Sequence, residues 1–132
     1  LFGKIITSLG AFPLKREKIN KSAYKKAIQI LKGGRILALF PEGTRSISGK
    51  LGNLKEGFIR IAIQCQVPVI PVVIRGTEKA LPPGKKFVKL EKIRVKIGEP
   101  VKIYFEGKEK DKIVQNLLEE LRKEMITMGA NR

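Results

Sequence analysis

The 132-residue chain contains no histidine and no tryptophan, and it has one cysteine, Cys65, and one aspartate, Asp111. Each shortage excludes some chemistry. Without histidine the chain cannot supply a Ser-His-Asp or Cys-His nucleophile pair, a histidine-ligated metal site or a histidine general base. One cysteine excludes an internal disulfide and fits a reducing compartment. Long apolar runs are also missing. The longest, Val67 to Ile74, has eight residues with two prolines, whereas a membrane span needs about 20. The chain does not start with methionine, and its first ten residues carry only Lys4 before an apolar pattern. It has no secretory leader pattern and reads as an incomplete polypeptide.

Positive charge is abundant. Twenty-eight Lys+Arg face 12 Asp+Glu, giving a net charge of +16. Such a surface attracts polyanions: nucleic acid, anionic headgroups or phosphorylated substrates. The plainer alternative is a solvated Lys/Glu surface of a heat-adapted protein. Hydrophobic residues at 42% with 30% charged residues describe a globular chain of one domain's length, not a disordered one.

The hydrophobic patterning predicts an α/β order. Apolar residues at helical spacing place a helix before Gly10, and Asn20 or Ser22 caps another that runs to Lys32 and stops at Gly33-Gly34. Arg35 to Phe40 (RILALF) is a near-continuous apolar run, as in a central parallel strand. Asn53 and Glu56 resemble a capping box for a helix reaching about Gln66. Val67 to Ile74 reads as a second buried strand, near an edge or irregular at Pro71, which lacks a ladder donor. Ile93, Val95 and Ile97 alternate with charged residues as a half-exposed strand. Glu109 to Met128 reads as a long amphipathic helix, with Ile113, Leu117, Leu118, Leu121 and Met125 on one side and Lys112, Glu119, Arg122 and Lys123 on the other. The alternation implies right-handed crossovers between parallel strands.

Catalytic loops of parallel α/β sheets lie at the carboxyl ends of strands. Two loops fit. One follows Ala11-Phe12-Pro13-Leu14 and begins Lys15-Arg16. The other follows RILALF and reads Pro41-Glu42-Gly43-Thr44-Arg45-Ser46. Arg16 and Arg45 are expected to converge on one anion, since arginine forks match phosphate oxygens. Gly43 lets backbone N–H groups approach, and Thr44 and Ser46 add hydroxyls. Glu42 could accept from a substrate hydroxyl or orient an arginine. Taken singly, each residue also fits a surface turn. Lys55 reads as a surface lysine with anion contact as the alternative, and Cys65 as a packed or partly exposed thiol.

Phe40-Pro41-Glu42-Gly43-Thr44-Arg45-Ser46 resembles the third conserved block of the glycerolipid acyltransferases, the PlsC-like 1-acyl-glycerol-3-phosphate acyltransferase family. Gly10-Ala11-Phe12-Pro13-Leu14-Lys15-Arg16 is similar to the second block, and Val67-Pro68-Val69-Ile70-Pro71-Val72 to the fourth. The resemblance covers nearly the whole chain. It implies an α/β acyltransferase sheet flanked by helices, and transfer of a fatty acyl group from acyl-CoA or acyl carrier protein to 1-acyl-sn-glycerol 3-phosphate, giving phosphatidic acid. It places Lys15, Arg16, Glu42, Gly43, Thr44, Arg45 and Ser46 around the glycerol phosphate, and Val67, Pro68, Val69, Ile70 and Pro71 on the acyl side. The thioester is a co-substrate; no metal and no organic cofactor are implied.

The family's first block, H-x-x-x-x-D, supplies the base and its orienting carboxylate. It has no counterpart here, so no catalytic residue is assigned. Residues 1–132 are expected to be one N-terminally incomplete domain, the C-terminal portion, inactive alone. The expected partners are lysophosphatidic acid, an acyl thioester and an anionic membrane. The expected location is the cytoplasmic membrane face, peripheral or anchored by a segment not in this chain. The rival is a basic non-enzymatic module binding anionic membrane or nucleic acid. Against nucleic acid, the chain has eight aromatics (six Phe, two Tyr), no recognition motif, and lysines spread over every segment.

Overall fold

The computed structural model describes residues 7–8, 10–12, 21–44, 46, 50–82, 84–85, 87–103 and 109–130. The chain divides into two compact units, Leu1–Ala38 and Leu39–Arg132.

In the first unit, Thr7 and Ser8 are helical and Gly10 turns the chain. Helix α1 runs Lys21–Lys32 and buries Ala23 and Ala27, as the apolar spacing predicts. Asn20 lies outside the described residues, and Ser22 sits inside the helix instead of capping it. The double glycine ends the helix by a Schellman pattern. Arg35 N–H reaches the Ile30 carbonyl at 3.1 Å and Gly34 N–H the Leu31 carbonyl at 3.0 Å. Gly34 has φ +69°, a conformation that glycine adopts without a Cβ penalty. The Lys26 ammonium stands 5.1 Å from the Phe12 ring centroid, a cation–π contact that ties the residue 11–12 segment to α1.

The Arg35–Phe40 run forms no strand among the described residues. An apolar run becomes a central strand only when neighbours on both sides take its backbone groups. Here Ile36 is 94% and Phe40 80% exposed, and the boundary between the two units crosses the run. The expected central parallel strand therefore does not form among the described residues.

The second unit contains helix α2 (Gly57–Cys65), strand β1 (Val72–Arg75), the single-turn α3 (Thr77–Ala80), strand β2 (Arg94–Ile97) and helix α4 (Lys110–Thr127). The Asn53/Glu56 capping box does not form. Glu56 occupies the N-cap without a side-chain cap bond; its carboxylate instead pairs with Arg60, one turn on, at 3.1 Å. Arg60 also reaches Asp111 of α4 at 2.7 Å. Hydrogen bonds to Glu56 and then Asp111 hold the Arg60 pKa above its ordinary value.

The core lies between α2 and α4. Ile59 and Val114 are fully buried and Leu121 nearly so, ringed by Phe58, Ile63, Val69, Val101, Leu117 and Leu118. Burial of such side chains contributes about 1.5–3 kcal/mol each. Val114 is the core residue that the helical spacing passed over.

β1 and β2 pair antiparallel, with Val72 opposite Ile97 and Ile74 opposite Val95. The expected buried strand from Val67 to Ile74 is thus shorter, antiparallel and covered on one side. Val73 points inward, while Val72 and Ile74 are exposed. The pairing resumes at Val69 and Val101. Between Pro71, whose carbonyl takes Gly98 N–H at 2.9 Å, and that bridge, Ile70 opposes both Glu99 and Pro100. This is a β-bulge at the place where Pro71 cannot donate. A Cβ on Gly98 would lie 2.8 Å from Met128 Sδ and 2.9 Å from Pro71 Cγ, so the end of α4 closes tightly onto the sheet. No helix among the described residues is long and apolar enough to cross a membrane.

Candidate functional site

The Pro41–Ser46 segment is organised by backbone ties that each have a local cause. Pro41 fixes its own φ and favours a turn. Gly43 N–H donates to the Phe40 carbonyl at 3.1 Å, closing the turn, and Gly43 has φ +72°, a conformation that few side chains tolerate. The Pro41 carbonyl accepts from Lys55 N–H at 2.9 Å. The Glu42 carboxylate accepts from Gly52 N–H at 2.7 Å. Ser46 Oγ donates to the Lys50 carbonyl at 2.8 Å. Together these bonds bring Lys55, Gly52 and Lys50 against Pro41, Glu42 and Ser46, and Gly43 and Thr44 are exposed.

α4 fastens the far side of this loop. Arg122 donates to the Gly52 carbonyl at 2.7 Å and the Leu51 carbonyl at 3.3 Å. The helical pattern had put Arg122 on the solvent side; it is half-buried and serves the loop. No local signal marks it, because the partners are 70 and 71 residues away.

Of the residues expected at the phosphate, Glu42, Gly43, Thr44 and Ser46 are brought together on this loop. Lys15, Arg16 and Arg45 lie outside the described residues, and so does the expected convergence of the two arginines. Glu42 is engaged with backbone and Ser46 with its own loop, so both shape the segment. Lys55 joins them: its Cε and Nζ each come within 3.2 Å of the point where a Cβ on Gly43 would sit.

The acyl-side residues follow α2. Val67 N–H bonds the Ala62 carbonyl, and Val69 exchanges both backbone bonds with Val101 at 3.0 and 2.8 Å. Pro71 is buried, Val67 and Val69 are half-buried, and Pro68 and Ile70 are exposed. Cys65 is a free, half-buried thiol. A separate open hollow of about 630 Å³ is lined by Glu99, Lys102, Glu120, Lys123, Glu124 and neighbours. Its mixed charge gives it no preference for an anion.

Comparison with known proteins decides the family. The acyltransferase family model matches residues 1–75. The chain belongs to that acyltransferase family. It is 35% identical over 104 residues to a chloroplastic 1-acyl-sn-glycerol-3-phosphate acyltransferase of Brassica napus, covering 76% of this chain and 30% of the relative. A 1-acyl-sn-glycerol-3-phosphate acyltransferase of Bacillus subtilis is 34% identical over 99 residues, covering 75% and 47%. The crystal structure of the 1-acyl-sn-glycerophosphate acyltransferase PlsC from Thermotoga maritima superposes with a TM-score of 0.66 at 34% identity, covering 83% of this chain and 45% of that one. The α/β acyltransferase fold therefore stands, and the chain spans under half the length of each of these proteins.

Proposed function

We propose that this acyltransferase chain binds the phosphate and glycerol of 1-acyl-sn-glycerol 3-phosphate and so serves acyl transfer in phospholipid synthesis, with phosphatidic acid as product. The observation that carries the reading is the Pro41–Lys55 loop, a tied turn that holds the family's glycine at the surface beside a cation. Arg16 and Arg45 grip the phosphate through their guanidinium forks. Glu42, held on Gly52 N–H, fixes the loop's shape, and Gly43, Thr44 and Ser46 border the glycerol. Pro68 and Ile70 offer apolar surface to the acyl chain, supported by Val67, Val69 and Pro71.

The reaction moves an acyl group from the thioester of coenzyme A or acyl carrier protein to the acceptor hydroxyl. The thiolate leaves, and the hydroxyl proton must go to a base. The chain has no histidine, so it binds the acceptor without activating it and is inactive alone. No metal or organic cofactor is needed for this chemistry. The setting is the cytoplasmic face of an anionic membrane. The charge of +16 supports this, as do Lys85, Lys89 and Lys92 interleaved with Phe87 and Leu90, which are 87% and 105% exposed.

Arg45→Ala tests the reading. A charged hydrogen bond is worth about 1.5–3 kcal/mol. In a histidine-bearing form of the enzyme, acceptor use should fall roughly 10- to 150-fold, with the donor's KM unchanged. Equal loss for both substrates, in a folded protein, contradicts it.

A further inference from the structure

The chain between α3 and β2 makes a closed excursion. Lys89 N–H donates to the Ala80 carbonyl at 2.8 Å, so the backbone that leaves at Ala80 returns to it. Toward the far end, Lys85 N–H donates to the Pro82 carbonyl at 3.1 Å, and Gly84 takes φ +79°. A segment of this length with joined ends is an Ω-loop. Its root is anchored, since Ala80 is buried and Leu81 and Pro82 are half-buried.

An Ω-loop normally packs its own side chains into its interior. The returning limb departs from that pattern: Phe87, Val88 and Leu90 are 87%, 73% and 105% exposed. Ile93, Val95 and Ile97 carry the apolar exposure on into β2. Apolar surface gathered in one place marks a contact with a partner or a membrane. Cations stand between these side chains. Lys85, Lys89 and Lys92 are exposed, and Glu91 is the one carboxylate of residues 84–92.

Apolar side chains set among lysines match an anionic bilayer. The headgroups take the ammonium groups, and the long lysine stems let the charge stay at that level while the apolar residues go below it. Single-stranded nucleic acid fits less well. It is held by stacking on aromatic rings, and Val88 and Leu90 have none. We propose that residues 85–92 form a membrane-insertion loop, with Phe87, Val88 and Leu90 entering the acyl-chain boundary of an anionic bilayer and Lys85, Lys89 and Lys92 on its headgroups; this rests on the membrane setting proposed above. The net charge draws the chain to the surface, and the loop fixes which side of the second unit meets the lipid.

The chain has no tryptophan, so Phe87→Trp installs a single emission reporter on the loop. Vesicles of phosphatidylglycerol and phosphatidylcholine, with and without bromine on the acyl chains, are added at low salt, with co-sedimentation and unfolding followed alongside. The indole emission should shift to the blue on binding and be quenched by the brominated lipid. Phe87→Ser with Leu90→Ser should weaken binding about 10-fold or more. Lys89→Gln with Lys92→Gln should weaken it roughly 25-fold, and both double variants should keep the unfolding midpoint. Co-sedimentation of Phe87→Trp with the emission of an indole in water would overturn the loop and leave the membrane setting standing. No co-sedimentation of the wild-type chain would overturn both. A blue shift without vesicles that grows with protein concentration would give the loop to a second copy of the chain. A larger shift with single-stranded RNA than with vesicles would give it to nucleic acid, and either result overturns the proposal.

Discussion

Glu42 Oε2 accepts a hydrogen bond from the backbone N–H of Gly52 at 2.7 Å, joining the two ends of the family's signature loop across ten residues. The carboxylate in the signature thus acts first on the loop itself. Lys55 and Arg122 complete the work, one on the Pro41 carbonyl and the other on the carbonyls of Leu51 and Gly52.

Breaking the Glu42 tie should loosen the loop more than it unfolds the protein. The bond lies at the surface, so Glu42→Ala should cost about 1 kcal/mol of stability. Gly52→Ala should do comparable damage, because its Cβ would lie 2.7 Å from the carboxylate. Thermal unfolding reads the first effect, and glycerol 3-phosphate titration reads the second. Both variants should bind more weakly while remaining folded.

The signature loop was legible because its residues are consecutive and each type has its own turn or anion chemistry. The ties that shape it were not. Arg122 lies on a helix face that local periodicity assigns to solvent, and its partners are 70 and 71 residues away. Helices α1 and α4 were legible from apolar spacing alone. The sheet was less so, since an apolar run such as Arg35–Phe40 or Val67–Ile74 reports hydrophobicity but not which backbone will pair with it. The irregularity at Pro71 was foreseen because it depends on one missing N–H, and it appears as the bulge at Glu99-Pro100.

Ile59 and Val114 are fully buried side chains that hold α2 on α4. Ile59→Ala should lower stability by about 2–5 kcal/mol through lost burial and the cavity left behind. Denaturant unfolding should show the midpoint falling with the slope retained. A loss below about 0.5 kcal/mol would mean that the core is not where the packing puts it.

Gln66 takes the left-handed conformation at the end of α2, with φ 52° and its N–H directed to the Ala62 and Ile63 carbonyls. That geometry costs a residue with a side chain about 1–2 kcal/mol. Gln66→Gly should therefore raise stability by up to about 1 kcal/mol, the freer unfolded chain offsetting part of the gain. Gln66→Val should lower it. Melting curves of the two variants check the sign.

The charge of +16 should drive adsorption to anionic vesicles at low salt and little to neutral ones, at about 1 kcal/mol per basic contact. Added salt that shortens the Debye length to about 8 Å or less should release the protein. Vesicle co-sedimentation measures it. Equal binding to neutral vesicles contradicts the electrostatic reading, and tighter binding to duplex DNA than to anionic vesicles would favour the nucleic-acid alternative.

The central claim is that this chain holds the acceptor but lacks the base. A positioned base is worth about 10²–10⁴-fold. The direct measurement is phosphatidic acid formation from lysophosphatidic acid and a long-chain acyl thioester, by the chain alone and by the chain joined to the family's H-x-x-x-x-D segment. The account predicts no turnover above background by the chain alone. It predicts turnover on joining the segment, lost when that histidine is changed to alanine. Comparable turnover by the chain alone would contradict it.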